Sequence, residues 1–374
     1  MKFTEEQLLL QKAARDFAEN EVRPRIDEII ENEGYIPRDL YKRMGELGFY
    51  GMMVDKQFGG GGMGMTEVCL VTEELSKVAP TMGLILMCVA PGIKGFELSP
   101  IFRERYLEGC MNGDLVVSGA VTAPEGHTNV PEWSIFAKKV DGGYLLNGTK
   151  CFCTSACDTD FHYVYGLDED RHMRIFCIDG DAKGFNHDAH EIKFGMKGSG
   201  GGTCTYQDVF CPDELVFDGE VGDGTFYFLI WVQCATIALG AAEGVLEMAM
   251  NYANTRTNNF KPVAAIGAQA ERIANLKVKA LAARALIYDA CFDLEDESTL
   301  QEGYLKTMAA KVFVPDMAYE ITKESVKLHG GLGYSDVHIY HFFADALAAM
   351  IMDQTTEYIL EGIAHYIGLP EELY

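Results

Sequence analysis

Four long stretches of helical periodicity fill the sequence after Gly224. They cover about residues 226–256, 268–292, 300–328 and 341–367, and links that contain Pro, Gly or acidic residues separate them. A chain that leaves one long helix through such a link turns back along its neighbour, because Pro and Gly end helices. The pattern predicts a C-terminal four-helix bundle over residues 226–374.

A different pattern precedes this bundle. Short apolar segments such as Tyr144–Leu146, Tyr163–Tyr165 and Ile175–Cys177 alternate with turn signals. Two of these signals, Asp141-Gly142-Gly143 and Asn147-Gly148, are typical of hairpin turns. We therefore predict antiparallel hairpins in a middle β domain, residues 115–225.

The first part of the sequence is again helical. Thr4-Glu5-Glu6-Gln7 is a capping-box pattern ahead of an amphipathic segment that Pro24 ends. Further helical runs cover residues 39–47 and 66–77, and the apolar run 83–89 fits a buried helix. These features predict an N-terminal helical domain, residues 1–114. The expected fold class is α+β, mainly helical.

Charge and composition exclude several functions. The chain of 374 residues has 31 Lys and Arg against 56 Asp and Glu, a formal net charge of −25. Nucleic acids and anionic membranes attract basic surfaces, so neither is an expected partner. The N-terminus lacks the basic start and apolar core of a secretory signal, and no uninterrupted apolar run reaches about 18 residues. We expect a cytoplasmic protein without membrane insertion.

The 11 cysteines show no metal-binding spacing, because the sequence contains no CxxC pair. We interpret them as buried thiols in a reducing compartment and predict no metal site. Histidine-centred catalysis has little support, since no HExxH pair and no GxSxG turn occur. Glycine-rich runs occur at 59–64, 198–202 and 330–333, but none lies in the strand-to-helix context of a dinucleotide-binding turn. The run in His329–Tyr334 interrupts the bundle, where bare backbone either forms a turn or approaches a phosphate or ring.

Asp353 is the most informative single position. It follows the apolar run Leu347–Met352 and precedes Thr355-Thr356. A carboxylate in this place is either a cap for the next helical turn or a base in an apolar pocket. Spacing alone leaves both hypotheses open.

Over essentially its whole length, the sequence resembles the acyl-CoA dehydrogenase family of flavoproteins. The segment Val121–Glu125 resembles the family's LTEP motif, Asn147–Thr154 resembles NGTKxWIT, and Ile351–Thr355 resembles IYEGT. Further matches are Thr4–Glu21, Phe58–Gly60, Glu73–Leu75, the RxxFGxP-like Arg256–Pro262 and the HGGxGY-like His329–Tyr334. Each match is modest, but their order and spacing together are highly specific.

The resemblance implies FAD chemistry on a CoA thioester. A base removes the α-proton while the β-hydrogen leaves as hydride to flavin N5, and preorganised donors polarise the carbonyl. Asp353 takes the position of the base. The resemblance also implies a set of cofactor-binding residues, namely Val121, Thr122, Phe152, Thr154, Arg256, Asn259, Lys327, Gly330, Gly331, Thr355 and Glu357. Substrate-binding positions are Thr128, Met87, Gln354 and His365.

Several departures from the family pattern fall in the site. Aspartate is one methylene shorter than the family's glutamate, about 1.5 Å of reach. Gln354 replaces the glycine that follows the base, which narrows the thioester slot. Residues 229–232 offer no alternative carboxylate and lack the arginine common there, which removes a cation that favours the ionised base. Thr128 replaces a serine near CoA, and His365 replaces an arginine.

These departures indicate an unusual acyl group, branched or cyclic, or an enzyme that runs as an enoyl-CoA reductase. The uncharged segment Leu84–Val89 is expected to line the acyl pocket, which disfavours a dicarboxylic acyl group because a buried unpaired carboxylate is costly. The resemblance further implies a homotetramer that exchanges electrons with an electron-transferring flavoprotein. A non-catalytic flavoprotein of the same fold is the alternative from another functional class.

Overall fold

The computed structural model describes residues 2–31, 34–128, 130–219 and 225–369. Its order is helices, then a sheet, then long helices, so the predicted fold class is confirmed. The helices are α1 (Glu5–Phe17), α2 (Ile26–Ile30), α3 (Arg38–Glu46), α4 (Met65–Ser76), α5 (Pro80–Lys94), α6 (Pro100–Phe102), α7 (Glu108–Met111), α8 (Thr225–Thr255), α9 (Gly267–Leu294), α10 (Leu300–His329), α11 (Gly331–Ser335), α12 (Val337–Ile351) and α13 (Thr356–Tyr366). The strands are β1 (Val117–Ala120), β2 (Phe136–Val140), β3 (Gly143–Cys153), β4 (Phe161–Leu167), β5 (Met173–Asp179), β6 (Phe185–His190), β7 (Gly202–Pro212), β8 (Val216–Asp218), β9 (Thr257–Asn258) and β10 (Lys261–Pro262).

Local sequence signals explain where several helices begin. Thr4 caps α1 with a full capping box, since its side chain accepts from Gln7 N and the Gln7 side chain accepts from Thr4 N. Pro80 occupies the first turn of α5, where its missing N–H costs nothing. The α1 and α5 helices therefore form as the sequence predicts.

The middle domain is one sheet of eight strands. Seven run in the order β6-β7-β3-β2-β4-β5-β8, and β1 pairs in parallel with β4. The hairpin predicted at Asp141-Gly142 joins β2 to β3, with Val140 opposite Gly143. The turn predicted at Asn147-Gly148 is wrong. Gly148, at φ 135°, lies inside β3 at a register shift against β7, so it forms a bulge that bends the strand.

The fourth long helix predicted at 341–367 is also interrupted. Helix α12 ends at Ile351 and α13 begins at Thr356. Between them Asp353 adopts a φ of 66°, a left-handed conformation that no helix interior permits. Periodicity continued across this break because the residues on both sides face the bundle core.

Helix α8 is the central helix of the bundle and packs against α9, α10 and α12 as well as α4 and α5. Two apolar helical stretches, Pro80–Leu98 and Tyr227–Thr255, are long enough to cross a membrane, but 67% and 89% of their apolar windows are buried inside the fold. They are core helices. The buried Glu73 on α4 accepts from Arg284 Nε at 3.0 Å and Tyr288 Oη at 2.7 Å on α9, which fastens the N-terminal domain to the bundle.

Candidate active site

The break between α12 and α13 forms the centre of the site. Thr355 caps α13, since its hydroxyl accepts from Tyr358 N at 3.4 Å. The cap hypothesis for Asp353 is therefore not needed to explain where the helix begins. The left-handed turn instead directs the Asp353 side chain inward, where 13% of it remains exposed.

The Asp353 carboxyl is desolvated and incompletely bonded. Its Oδ2 atom has no hydrogen-bond partner among the described residues. Burial raises the pKa of Asp353 from 3.8 to about 6, while the Lys311 charge and the Trp231 indole oppose that rise. A buried carboxyl with a free oxygen and a pKa near neutrality has the properties of a general base or acid.

Lys311 on α10 supplies the cation that residues 229–232 lack. Its buried Nζ donates to Ala349 O and Met352 O, both at 2.9 Å, and so closes the C-terminal end of α12. The arginine is missing from residues 229–232 as the sequence shows, and Lys311 provides a positive charge near the base from another helix. Sequence could not show this, because Lys311 is more than 40 positions from Asp353 and reaches it only across the packed helices.

Gln354 connects the base to the middle domain. Trp231 Nε1 on α8 donates to Gln354 Oε1, and Gln354 Nε2 lies 3.2 Å from His127 Nε2. His127 Nδ1 in turn lies 3.2 Å from Thr122 Oγ1. Burial lowers the pKa of His127 to about 4, so the imidazole is neutral near pH 7, and its Nε2 lies 3.7 Å from Asp353 Oδ1.

An apolar cluster adjoins the base. It is made by residues of α5 and α8 and the loop before β7, namely Leu84, Met87, Met196, Ile230, Cys234 and Ile237, with Cys88, Ala348 and Met352 packed against it. Met352, the residue before Asp353, packs against this cluster, and burial together with a smaller effect of the Asp353 charge raises the pKa of Cys88 and Cys234. The predicted acyl-pocket residue Met87 is thus brought close to the predicted base.

Three of the predicted cofactor residues lie around the same place. Val121 and Thr122 follow β1, and the buried Lys150 Nζ donates to Val121 O while it faces the Trp133 ring at 3.2 Å. Thr154, after β3, bonds the Cys88 thiol and opposes the rise in its pKa. Thr122 bonds His127, which lies 3.7 Å from Asp353, and Thr154 bonds Cys88 beside the apolar cluster, so both threonines are one contact away from the surroundings of the base.

Phe152 has an exposed ring on a backbone of unfavourable conformation. Its φ is 55°, its side chain is 64% exposed, and its backbone N–H donates to the Glu191 carboxylate at 2.9 and 3.0 Å. An exposed aromatic ring on a strained backbone costs free energy unless a partner covers it. The exposure and backbone conformation of Phe152 thus fit a ring that packs on a planar ligand.

A second group of predicted residues lies at the opposite ends of the long helices. Arg256 and Asn259 belong to the exposed β9–β10 hairpin after α8. Lys327, Gly330 and Gly331 lie where α10 ends, and the Tyr252 and His329 rings, 4.9 Å apart, join the two places. A Cβ at Gly330 or Gly331 would meet no atom within 4 Å, so this loop presents bare backbone to open space.

The remaining predicted residues are exposed. Thr128 follows His127, Glu357 lies in the first turn of α13, and His365 lies in its last turn. The structure does not bring these three into the contacts around Asp353. Their proposed roles toward FAD or CoA rest on the family resemblance.

Sequence reasoning missed three residues of the site, which are His127, Trp231 and Lys311. His127 follows the LTEP-like segment by two residues, and that adjacency was the available signal. Trp231 lies in residues 229–232, where the absence of a carboxylate gives no catalytic signal. Lys311 gave no signal, because a lysine in a helix is normally solvent-exposed.

Comparison with known proteins agrees with this arrangement. The acyl-CoA dehydrogenase N-terminal, middle and C-terminal domains match residues 4–114, 118–209 and 232–368. An acyl-CoA dehydrogenase of Bacillus subtilis is 30% identical over 374 residues, with 96% of each chain covered. The caffeyl-CoA reductase-Etf complex subunit CarC of Acetobacterium woodii is 27% identical, with 96% of this chain and 97% of its own covered. A glutaryl-CoA dehydrogenase from Mycobacterium smegmatis in complex with FADH2 has the same fold, with a TM-score of 0.91 at 20% identity over 100% of this chain and 97% of its own.

These findings place the chain among the oxidoreductases that act on CH–CH bonds. It belongs to the acyl-CoA dehydrogenase family, as its motifs predicted. The prediction of FAD is confirmed at the level of this family.

Proposed function

We propose that the chain catalyses α,β-dehydrogenation of an acyl-CoA thioester. Asp353 removes the α-proton, and the β-hydrogen leaves as hydride. The observation that carries this proposal is the unpartnered Oδ2 of Asp353, buried against the apolar cluster that contains Met87. A buried acceptor without a partner costs about 1–3 kcal/mol, so its retention indicates a ligand that completes it.

The residues of the chain fit FAD. The exposed ring of Phe152 offers a stacking surface, and the hydroxyls of Thr122 and Thr154 contact His127 and Cys88 near the base. The open backbone at Gly330 and Gly331 lets a phosphate approach closely. FAD, when bound, supplies the hydride acceptor.

The backbone conformation of Asp353 compensates for its side chain, which is shorter than that of glutamate. With a φ of 66°, Asp353 leaves the helical conformation of α12. Lys311 donates to the carbonyl of Met352, the residue before it. The base is thus positioned by the turn rather than by side-chain length. Apolar surroundings exclude water, which strengthens the electrostatic effect of the Lys311 charge on the carboxylate.

The reverse reaction, reduction of an enoyl-CoA, is the second candidate. It requires a protonated Asp353 to donate the α-proton, and a pKa of about 6 leaves that form accessible near neutral pH. The sequence similarity to a caffeyl-CoA reductase subunit supports this candidate. The same residues serve both directions.

We also propose the assembly and context that the family implies. These are a homotetramer, an electron-transferring flavoprotein as redox partner, a cytoplasmic location and a role in fatty acid metabolism. The exposed β9–β10 hairpin supports this assembly. Phe260 at its tip is fully exposed at φ 65°, and aromatic side chains are enriched where subunits contact each other.

The test is an anaerobic titration of the flavin-loaded protein with saturated and unsaturated acyl-CoAs. The visible absorbance of the flavin is recorded after each addition. Bleaching by a saturated thioester supports dehydrogenation. Oxidation of dithionite-reduced flavin by an enoyl thioester, with no bleaching by any saturated one, supports the reductase. A flavin that responds to no thioester in a panel of straight, branched, cyclic and aryl acyl groups contradicts both and favours the non-catalytic alternative.

A further inference from the structure

The hydrogen bonds around Gln354 fix the direction of its side-chain amide. An indole N–H only donates, so the Gln354 atom that faces Trp231 Nε1 is the carbonyl oxygen Oε1. The amide nitrogen then faces His127 Nε2 at 3.2 Å. The orientation follows from donor and acceptor chemistry, because the opposite one would place two donors together.

This orientation also fixes the tautomer of His127. The Gln354 amide donates to His127 Nε2, so that nitrogen carries the lone pair and the ring proton is on Nδ1. His127 Nδ1 then donates to Thr122 Oγ1 at 3.2 Å. Because the Thr122 oxygen accepts this bond, its own hydroxyl proton points away from His127. A single chain of donors therefore runs from α8 through the base turn to the segment after β1.

The turn that carries Asp353 is consequently held on both sides. Lys311 bonds the carbonyl of Met352 before it, and the side chain of Gln354 after it bonds α8 and the middle domain. Gln354 is 5% exposed, so water does not compete strongly for these bonds. A left-handed residue between the two anchors cannot relax without breaking one of them.

We propose that Gln354 is a positioning residue that sets where the Asp353 carboxylate stands, by tying its turn to Trp231 and to the His127–Thr122 pair. The inference rests on the proposed function, since it concerns the base of that reaction. It explains how an aspartate serves at this position. The Gln354 side chain anchors the turn, and the anchored turn places the shorter Asp353 side chain where the reaction needs it.

Kinetics of a double-mutant cycle test this proposal. Gln354→Ala removes both hydrogen bonds, and Asp353→Glu restores the missing methylene. We expect Gln354→Ala to lower kcat by about 10–100-fold with a smaller change in KM, because a misplacement near 1 Å costs on the order of a hundredfold. The double variant should be impaired less than the product of the single effects, since the longer base regains the lost reach. Additive effects would overturn the proposal.

A second readout needs no substrate. The chain has two tryptophans, and the Trp133 indole donates to the backbone carbonyl of Gly126 at 2.8 Å and not to Gln354. In a proton–nitrogen NMR spectrum, Gln354→Ala should shift the Trp231 indole signal to higher field and leave that of Trp133 in place. His127→Ala should move the Trp231 signal less, because it breaks only the far end of the chain. An unmoved Trp231 signal in Gln354→Ala would refute the inferred bond.

Gln301→Ala is the matched control. Gln301 is exposed on α10, and its backbone carbonyl accepts from Tyr366 Oη at 2.6 Å. We expect wild-type kcat and unchanged indole signals. If the wild-type protein turns over no thioester, the proposed function fails, while the indole signals still decide whether Gln354 ties the turn.

Discussion

The two ends of the candidate site are built in opposite ways. Around Asp353, side chains from α8, α10 and the middle domain converge and bond to one another, and little water reaches them. Around Arg256 and Gly330 the chain offers an exposed hairpin and a bare loop. At the first end the residues of one chain anchor the turn that carries the base and leave Asp353 Oδ2 for a ligand, whereas the second end presents an exposed hairpin and open backbone.

This difference indicates that the buried end positions the base and the open end contacts a cofactor or another subunit. A base must be held within a fraction of an ångström, which requires rigid and buried anchors. A contact with a cofactor phosphate or another subunit tolerates flexibility, since the partner orders it on binding. Changes at the buried end should therefore alter reaction rate and stability, and changes at the open end should alter retention and assembly.

The largest effect is expected at the base itself. Asp353→Asn removes the proton acceptor and should lower the rate of flavin bleaching by about 10²–10⁴-fold while flavin remains bound. Stopped-flow absorbance measures the rate, and the ratio of flavin to protein absorbance measures retention. Wild-type bleaching in this variant would exclude Asp353 as the base.

The same variant should gain stability at high pH. The folded pKa of Asp353, about 6, exceeds its ordinary value of 3.8, so the native state binds more protons than the unfolded state between these values. Stability then falls as pH rises through this window, because the buried carboxylate must ionise. Asp353→Asn should be about 1–3 kcal/mol more stable than wild type at pH 8 and nearly equal at pH 4. Urea unfolding at both pH values tests this, and equal stability at pH 8 would contradict the desolvated carboxylate.

The pH dependence of the two directions should be opposite. Dehydrogenation needs ionised Asp353, so kcat/KM should fall about tenfold per pH unit below about 6 and level off above it. Enoyl reduction needs the protonated form and should decline above that value. Two kinds of neighbouring group keep their charge state between pH 5 and 8. His127 stays neutral because burial lowers its pKa to about 4, and burial raises the pKa of Cys88, Cys234, Tyr165 and Tyr227. Burial lowers the pKa of Lys150 to about 7, but its charge acts on His127, which is neutral throughout this range, so it should add no step to the profile. A flat profile from pH 5 to 8 would contradict the assignment.

Lys311→Met should shift that profile. Removing the cation raises the pKa of Asp353 further, because Lys311 opposes the effect of burial. The ascending limb for dehydrogenation should then move to higher pH. The variant should also lose about 1–3 kcal/mol of stability, since Ala349 O and Met352 O are left without a donor. Lys311→Arg is the control that keeps the charge, and an unshifted profile in Lys311→Met would show that the cation does not act on the base.

The smallest effect on the chain itself is expected at the open end. Arg256→Ala changes an exposed side chain, so the unfolding temperature of the apoprotein should stay within about 2 °C. FAD retention on gel filtration should weaken, and the elution volume should indicate looser assembly. A full flavin complement in this variant would contradict a cofactor role for Arg256.

Much of the fold was predictable because its signals are local. The capping box at Thr4, the hairpin at Asp141-Gly142 and the long apolar periodicities each depend on neighbouring residues. The errors came where packing overrode them. Gly148 forms a bulge inside a strand, and the helix predicted across Asp353 is broken by the turn that carries the base.

The sequence by itself determined the order of the three domains, the family and the position of the candidate base, since these depend on residue order and motif spacing. Only the tertiary structure decided what surrounds that base. Lys311, Trp231 and His127 come from separate helices and a distant loop, and of the three only His127 lies beside a motif, two residues after the LTEP-like segment. Their effect on Asp353 arises from desolvation and short-range contacts, which exist only after the domains pack together.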